Sequence, residues 1–326
     1  MNQDDYVVLY ADKKPEDNII ITNMFKNTLK FNIGWTDIDY NNNTKLVDEY
    51  VSEHSVNQII LAGFEIGWDK FVLYVKEKYP EMKVKVICNT NDSLLYYEYE
   101  RNNFFKMLEL AKDNLIDNIA FFRRGQYEVY KTLGYKCSMV YENYKMDDNM
   151  VKSIKEQNDI VDIGIYPLNY TWDKNIFNQL CIPEFIENSN LNYNNLDPRM
   201  DDFLETMKIN HKQDRIESIN DESIINAVIK NDVVVATSFT EYVHPVFFIS
   251  MELGIPCLIG NNSELFDESS ELGKFVVTTA EDNAIINAEM IKKIIENKSK
   301  INSLYKEWKN SYNSKSKESI EEFLNK

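Results

Sequence analysis

Histidine is scarce in this chain, with three among 326 residues. Each can therefore be weighed by its address. His54 closes an apparent helix behind Ser52 and Glu53 and reads as a surface residue. His211 sits in the polar run Met207-Lys208-Ile209-Asn210-His211-Lys212-Gln213-Asp214 and reads as exposed loop. Only His244, directly before Pro245, has a site-like address, where capping, packing and ligand contact all stay open. No Ser-His-Asp or Cys-His arrangement can be assembled from these positions. Cysteine is nearly as sparse. Cys88, Cys137, Cys181 and Cys257 are scattered, and no pair has metal-ligand spacing. Buried, reduced thiols in a cytoplasmic protein are the expectation.

Other absences exclude whole classes. No apolar run reaches the ~18 residues of a membrane span. The opening MNQDDYVVLYADKK puts acidic residues before a short strand and has no cationic leader, so it does not read as a secretory signal. Neither Gly-x-Gly-x-x-Gly nor the Walker pattern occurs, which argues against the common dinucleotide and nucleoside triphosphate sites. Positive charge is the minority sign: 36 basic against 53 acidic residues leave −17. That balance disfavours duplex nucleic acid, whose binding depends on neutralising phosphates, and polybasic docking to anionic lipid. Against it, Lys174 and the pair Arg123-Arg124 are the places where a local basic cleft could form.

What is present is an alternation. Hydrophobic content of 44% with 27% charged residues is globular, and the length suits two ordinary domains. Strands are predicted at 6–10, 57–62, 84–88 and 119–122, with helices at 45–53, 69–78, 92–111 and 126–133 between and after them. Beyond a polar stretch at 144–157, strands at 161–166, 233–236, 257–259 and 275–278 alternate with helices again. Such alternation argues for parallel sheets covered on both faces, with the strand-end loops along one edge. The expected division is 1–148 and 149–326, with a final helix at 301–325 that may cross back to the first domain.

The densest signal runs from Asp232 to Phe266, DVVVATSFTEYVHPVFFISMELGIPCLIGNNSELF. It reads as a buried strand (Val233 to Ala236), a polar loop, a helix opened by Pro245 and stopped by Gly254, and a second buried strand. The loop Thr237-Ser238-Phe239-Thr240-Glu241 lies at a strand's carboxyl end and feeds a helix N-terminus. Open α/β sheets bind ligands there, and backbone N–H groups with the helix dipole favour phosphate.

This segment resembles the donor-binding core of the GT-B glycosyltransferases, especially the retaining branch that carries two spaced glutamates. Ser238 and Glu241 match that pattern's Ser-x-x-Glu loop, and Gly254-Ile255-Pro256 matches its close. The second glutamate falls at Ile249, and Glu252 is the neighbouring carboxylate on the same helix. Upstream, Val161 to Tyr166 resembles the first strand of the nucleotide-binding half. Its loop reaches Trp172-Asp173-Lys174-Asn175, where the family places a basic residue on the nucleotide diphosphate. The resemblance thus implies donor-binding candidates Lys174, Ser238, Glu241, His244 and Val246. On the N-terminal side, Asn89-Thr90 stands where related bacterial enzymes often carry a histidine. With Arg123 these two residues form the implied acceptor side. Asn and Thr can hydrogen-bond a sugar hydroxyl but cannot act as a general base near neutral pH.

The resemblance implies an α/β fold of two Rossmann-like domains facing across a cleft, here an N-terminal acceptor-side half and a C-terminal nucleotide-sugar half. The implied activity moves a sugar from a nucleotide-diphosphate donor to a hydroxyl of a glycan or protein acceptor, with no metal or other cofactor required. Asp37-Ile38-Asp39 has the look of the metal motif of the other glycosyltransferase fold, and reads as solvated loop. Two alternatives stay open. One is a catalytically silent GT-B-like subunit that binds acceptor or stabilises a second glycosyltransferase chain, or a copy of itself. The other is a sugar-nucleotide epimerase, which would need carboxylates and a histidine around the cleft, where the chain supplies few.

Overall fold

The computed structural model describes residues 5–11, 21–31, 40–142, 159–216, 222–239 and 245–326. The chain divides into two compact units, residues 1–143 with 313–326, and residues 144–312. Each is built on a six-stranded parallel sheet.

The first unit contains β1 (Tyr6–Ala11), β2 (Thr28–Phe31), α1 (Tyr40–Glu53), β3 (Gln58–Ala62), α2 (Trp68–Lys78), β4 (Lys83–Cys88), α3 (Glu98–Lys112), β5 (Asn118–Phe121), α4 (Arg124–Thr132) and β6 (Cys137–Met139). Its strands lie in the order β2-β1-β3-β4-β5-β6. The central strands are short apolar runs buried on both faces, as parallel sheets with helical covers require. Trp68 and Phe71 on α2 pack on Phe31, the Trp68 and Phe31 rings stacking at 5.4 Å. β4 carries a fully buried cation, Lys85, whose ammonium donates to the carbonyls of Phe323 (2.8 Å) and Leu324 (2.9 Å). Those carbonyls belong to the last turn of the terminal helix, where unpaired acceptors and the helix dipole favour a cation.

The second unit contains β7 (Val161–Ile165), α5 (Ile176–Leu180), β8 (Ser189–Asn194), α6 (Pro198–Met207), β9 (His211–Asp214), α7 (Glu222–Val228), β10 (Val233–Ala236), α8 (Pro245–Glu252), β11 (Cys257–Gly260), α9 (Gly273–Val276), β12 (Val277–Thr278), α10 (Ala284–Glu296) and the start of α11 (Lys298–Asn325). Strand order is β12-β11-β10-β7-β8-β9, so the chain leaves β7 in one direction and returns to its other side with β10. This is the doubly wound order whose reversal point opens a crevice at the strand carboxyl ends. α8 is mostly apolar, and Val246 through Met251, Ser250 among them, are all buried. A helix of that character belongs inside a core. Phe247 and Phe248 pack on Tyr305, Trp308 and Tyr312 of α11.

Several predicted boundaries shift. The segment 92–111 is not one helix. Asn91 accepts from the amides of Ser93 and Leu94 and caps a 3-10 turn over Asp92–Tyr96 before α3 begins. Residues 273–276 are helical, leaving only Val277–Thr278 as the last strand. Strands β2, β6, β8 and β9 were not read from sequence, and His211 lies on edge strand β9 rather than in a loop. Its ring meets Tyr193 edge-on at 5.8 Å, and Nδ1 is 2.8 Å from the Ile209 carbonyl. His54 stacks on Tyr50 at 4.2 Å. All four cysteines are free. Burial pushes the Cys88 thiol up to about 12 and Cys137 to about 11, so both are protonated and unreactive at neutral pH.

Candidate functional site

β7 and β10 are adjacent and parallel, so the loops that follow them emerge side by side. Between these loops lies a small pocket of about 10 Å³, room on the order of one water molecule. Tyr166 and Pro167 line it from the end of β7, and Val235, Ala236 and Ser238 from β10. Lys174 and Gln179 complete the wall. The pocket therefore sits at the reversal point of the sheet.

Side-chain amides hold the two loops in place. Asn175, in the left-handed region at φ 55°, donates to the Thr237 carbonyl at 2.9 Å and to the Glu281 carbonyl at 2.7 Å. Gln179 donates to the Lys174 carbonyl at 2.7 Å and accepts from the Thr237 amide at 3.3 Å. Asn262 donates to the Ser238 carbonyl at 2.6 Å, and the Phe239 amide donates to the Asp173 carbonyl at 2.8 Å. The loop after β12 reaches the same place: the Glu281 carboxylate accepts from the Asn261 amide at 2.9 Å. Gly260 permits that approach, since a Cβ there would lie 2.8 Å from Glu281 Cγ and 3.1 Å from the Ser238 carbonyl.

Lys174 and Ser238, both proposed from sequence, are thus brought together on one pocket, each less than a tenth exposed. The Lys174 ammonium lies 3.9 Å from the buried Asp173 carboxylate, its sequence neighbour. A buried cation held on a short turn beside loop backbone suits a phosphate group. Below it, Tyr166 donates to Asp214 at 3.1 Å, and burial first, then the Asp214 charge, holds its hydroxyl well above the usual phenol range. Tyr166 acts there as a neutral wall.

Other predicted positions fall elsewhere. Val246 is 1% exposed on α8, so its side chain is core and only its backbone is left to meet a ligand. Ile249 is likewise 1% exposed. Glu252 does not take the place of the second glutamate: it accepts from the Tyr305 hydroxyl at 2.7 Å and pairs with Lys309, both on α11. Nor is Glu252 a solvated surface carboxylate. Glu241, His244, Asp37 and Asp39 lie outside the described residues.

On the first unit, Asn89 and Thr90 follow β4 and Arg123 follows β5, at neighbouring strand ends. Thr90 donates to Glu100 at 3.0 Å, and its carbonyl accepts from Gln126 at 2.9 Å. Asp92 accepts from Gln126 at 3.1 Å and Tyr130 at 3.2 Å. The Asn89 side chain packs where Gly63 leaves room, with Oδ1 3.1 Å from the position of a Cβ there. Arg123 is the residue before α4.

Sequence reasoning missed Asn175, Gln179, Asn262 and Glu281, which shape the pocket without carrying a recognisable motif. Among the described residues no three His, Cys, Asp or Glu side chains gather as metal ligands, and no helix is long and apolar enough to cross a membrane.

No family model matches the chain, and no curated protein matches it in sequence. Solved structures do match in fold. The Anabaena Alr3699/HepE structure in complex with UDP-glucose superposes with a TM-score of 0.67 at 11% identity, covering 98% of this chain and 99% of that one. Sucrose-phosphate synthase (tll1590) from Thermosynechococcus elongatus gives 0.64 at 11% identity, covering 98% and 97%. A glycosyltransferase from Rickettsia africae ESF-5 gives 0.61 at 10% identity, again covering 98% and 97%. These neighbours are GT-B glycosyltransferases, and the two parallel six-stranded α/β units described above are the fold that this chain shares with them.

Proposed function

We propose that this chain is a nucleotide-sugar-dependent glycosyltransferase that moves a sugar from a nucleoside-diphosphate donor to a hydroxyl of a glycan or protein acceptor. The observation that carries the reading is the pocket at the β7/β10 reversal point, with a buried Lys174 and Ser238 on its wall. A fold neighbour in complex with UDP-glucose supports it. In this reading Lys174 and backbone amides of the Ser238 loop meet the diphosphate, and Glu241 contacts the donor sugar, as the sequence resemblance implies. Asn89, Thr90 and Arg123 are the acceptor side. The leaving diphosphate gains charge as the glycosidic bond breaks, and a fixed cation aimed at it lowers the barrier. Losing one such preorganised group costs roughly 100- to 1000-fold in turnover. No metal is assigned a role.

A second reading, a catalytically silent subunit that binds acceptor or a partner glycosyltransferase, is favoured by α8. Its Ile249 is core and its Glu252 is committed to α11. Thermal denaturation with UDP, GDP and TDP tests both. A ligand that binds only the folded state raises the melting temperature with concentration, and Lys174→Met should erase that rise. No rise with any of the three at millimolar concentration overturns the donor site. A rise without any hydrolysis of the matching sugar nucleotides favours the silent subunit.

A further inference from the structure

Two large aromatic side chains stand in solvent on the loops that build the pocket. Trp172 is 55% exposed and Phe239 37% exposed, with ring centroids 6.4 Å apart and planes tilted by 31°. Among the described residues each ring's only aromatic partner is the other. Nearby, Tyr170 meets Phe177 and Arg199, and Phe177, itself as exposed as Phe239, packs on Phe203. The Phe239 amide donates to the Asp173 carbonyl at 2.8 Å, so the residue after Trp172 and Phe239 itself are tied together. Each ring also adjoins a polar pocket residue. Trp172 lies two positions before Lys174, and Phe239 directly follows Ser238.

We infer that Trp172 and Phe239 form a ring-stacking subsite beside the phosphate pocket, which takes a flat ring of the same ligand, either the nucleobase or the sugar's apolar face. The inference rests on the donor reading given above. Aromatic faces held in water gain most by covering a ring, through area burial and π-stacking, and such stacking tolerates any base. The neighbouring cation fixes the charged end of the ligand while the rings take its flat end. The backbone bond between Phe239 and Asp173 holds the two ring-bearing positions side by side, which lowers the ordering left to oppose binding.

The test is calorimetric titration of wild type, Trp172→Ala, Phe239→Ala and Trp172→Phe with UDP, GDP, TDP, their glucose conjugates and inorganic pyrophosphate. Each alanine variant should weaken a ring-bearing ligand by about 5- to 150-fold, the range of base–aromatic stacking. Pyrophosphate affinity should stay within about twofold, and Trp172→Phe should recover most of the loss. A loss already present with the nucleoside diphosphate identifies the base as the stacked ring. A loss confined to the glucose conjugate identifies the sugar. Unchanged affinity for every nucleotide, or an equal loss for pyrophosphate, overturns the subsite alone. Failure of wild type to bind any of these ligands overturns the donor reading and the subsite together.

Discussion

The two units carry the same kind of sheet but finish their strand ends in opposite ways. In the first, side chains at the ends of β4 and β5 bond to one another, Thr90 to Glu100 and Gln126 and Tyr130 to Asp92, besides the bonds that Gln126 and Asn91 make to backbone. In the second, Asn175, Gln179 and Asn262 reach past their neighbours to loop carbonyls and amides, and the space between the loops stays open. A side chain bonded to a side chain fills the crevice. One bonded to backbone braces its walls. The pocket described lies in the second unit, at the reversal between β7 and β10.

The largest expected effect tests whether α8 is wall or core. Ile249→Glu places a carboxylate where the side chain is 1% exposed, on a helix that is mostly apolar and buried. An unpaired buried ion costs several kcal/mol, a large part of a typical domain's stability. The variant should fail to accumulate as folded protein, or melt far below wild type. A stable variant that binds donor would instead move α8 into the pocket wall.

Much of this was legible in the sequence, and what was missed has a physical cause. The strand-loop-helix-strand at 232–260 reads directly because β10 and β11 are buried on both faces and α8 begins with proline. Ser238 was named from that segment and Lys174 from the upstream strand at 161–166, and the two stand at adjacent strand ends. β8 escaped because it is written Ser-Asn-Leu-Asn-Tyr-Asn, yet its amides are absorbed internally: Asn192 donates to Asn231 at 2.9 Å. β9, His-Lys-Gln-Asp, is a polar edge strand whose pattern carries no apolar alternation. The core status of Ile249 was hidden by an alignment that expected glutamate there. Gln179 and Asn262 act through backbone groups of distant loops, and such pairings leave no spacing in the sequence.

A smaller effect concerns the first unit's buried cation. Lys85→Met keeps the aliphatic stem but leaves the Phe323 and Leu324 carbonyls without their donor, an expected loss of about 1–3 kcal/mol. Burial, and then the Lys83 charge, lowers the Lys85 ammonium to about 8 from 10.5. The sign follows: between those values the unfolded chain holds the proton and the folded one has released it. The Lys85 contribution to stability therefore rises with pH across that window and is flat below it. Urea denaturation of both proteins at pH 7 and pH 9.5 reads the effect as a difference that grows in favour of wild type. A difference that shrinks on going to the higher pH would mean the carbonyls and helix dipole hold the proton more tightly than burial expels it.

The smallest stability change sharpens the comparison most, because it uses a matched pair. Thr90→Val removes a hydroxyl bonded to Glu100, and Gln179→Met removes an amide bonded to Lys174 and Thr237 backbone. Each replacement is close in size, so each should cost about 1 kcal/mol, the net worth of an ordinary hydrogen bond. Their ligand responses should part. Gln179 lines the pocket and steadies the turn bearing Lys174, so Gln179→Met should lose most of the melting-temperature rise produced by the best-binding nucleoside diphosphate. Thr90→Val should keep that rise in full. If both variants keep it, the amide braces matter only to the fold. If Thr90→Val loses it as well, the closed network of the first unit also takes part in holding the donor, and the contrast between the two strand ends fails.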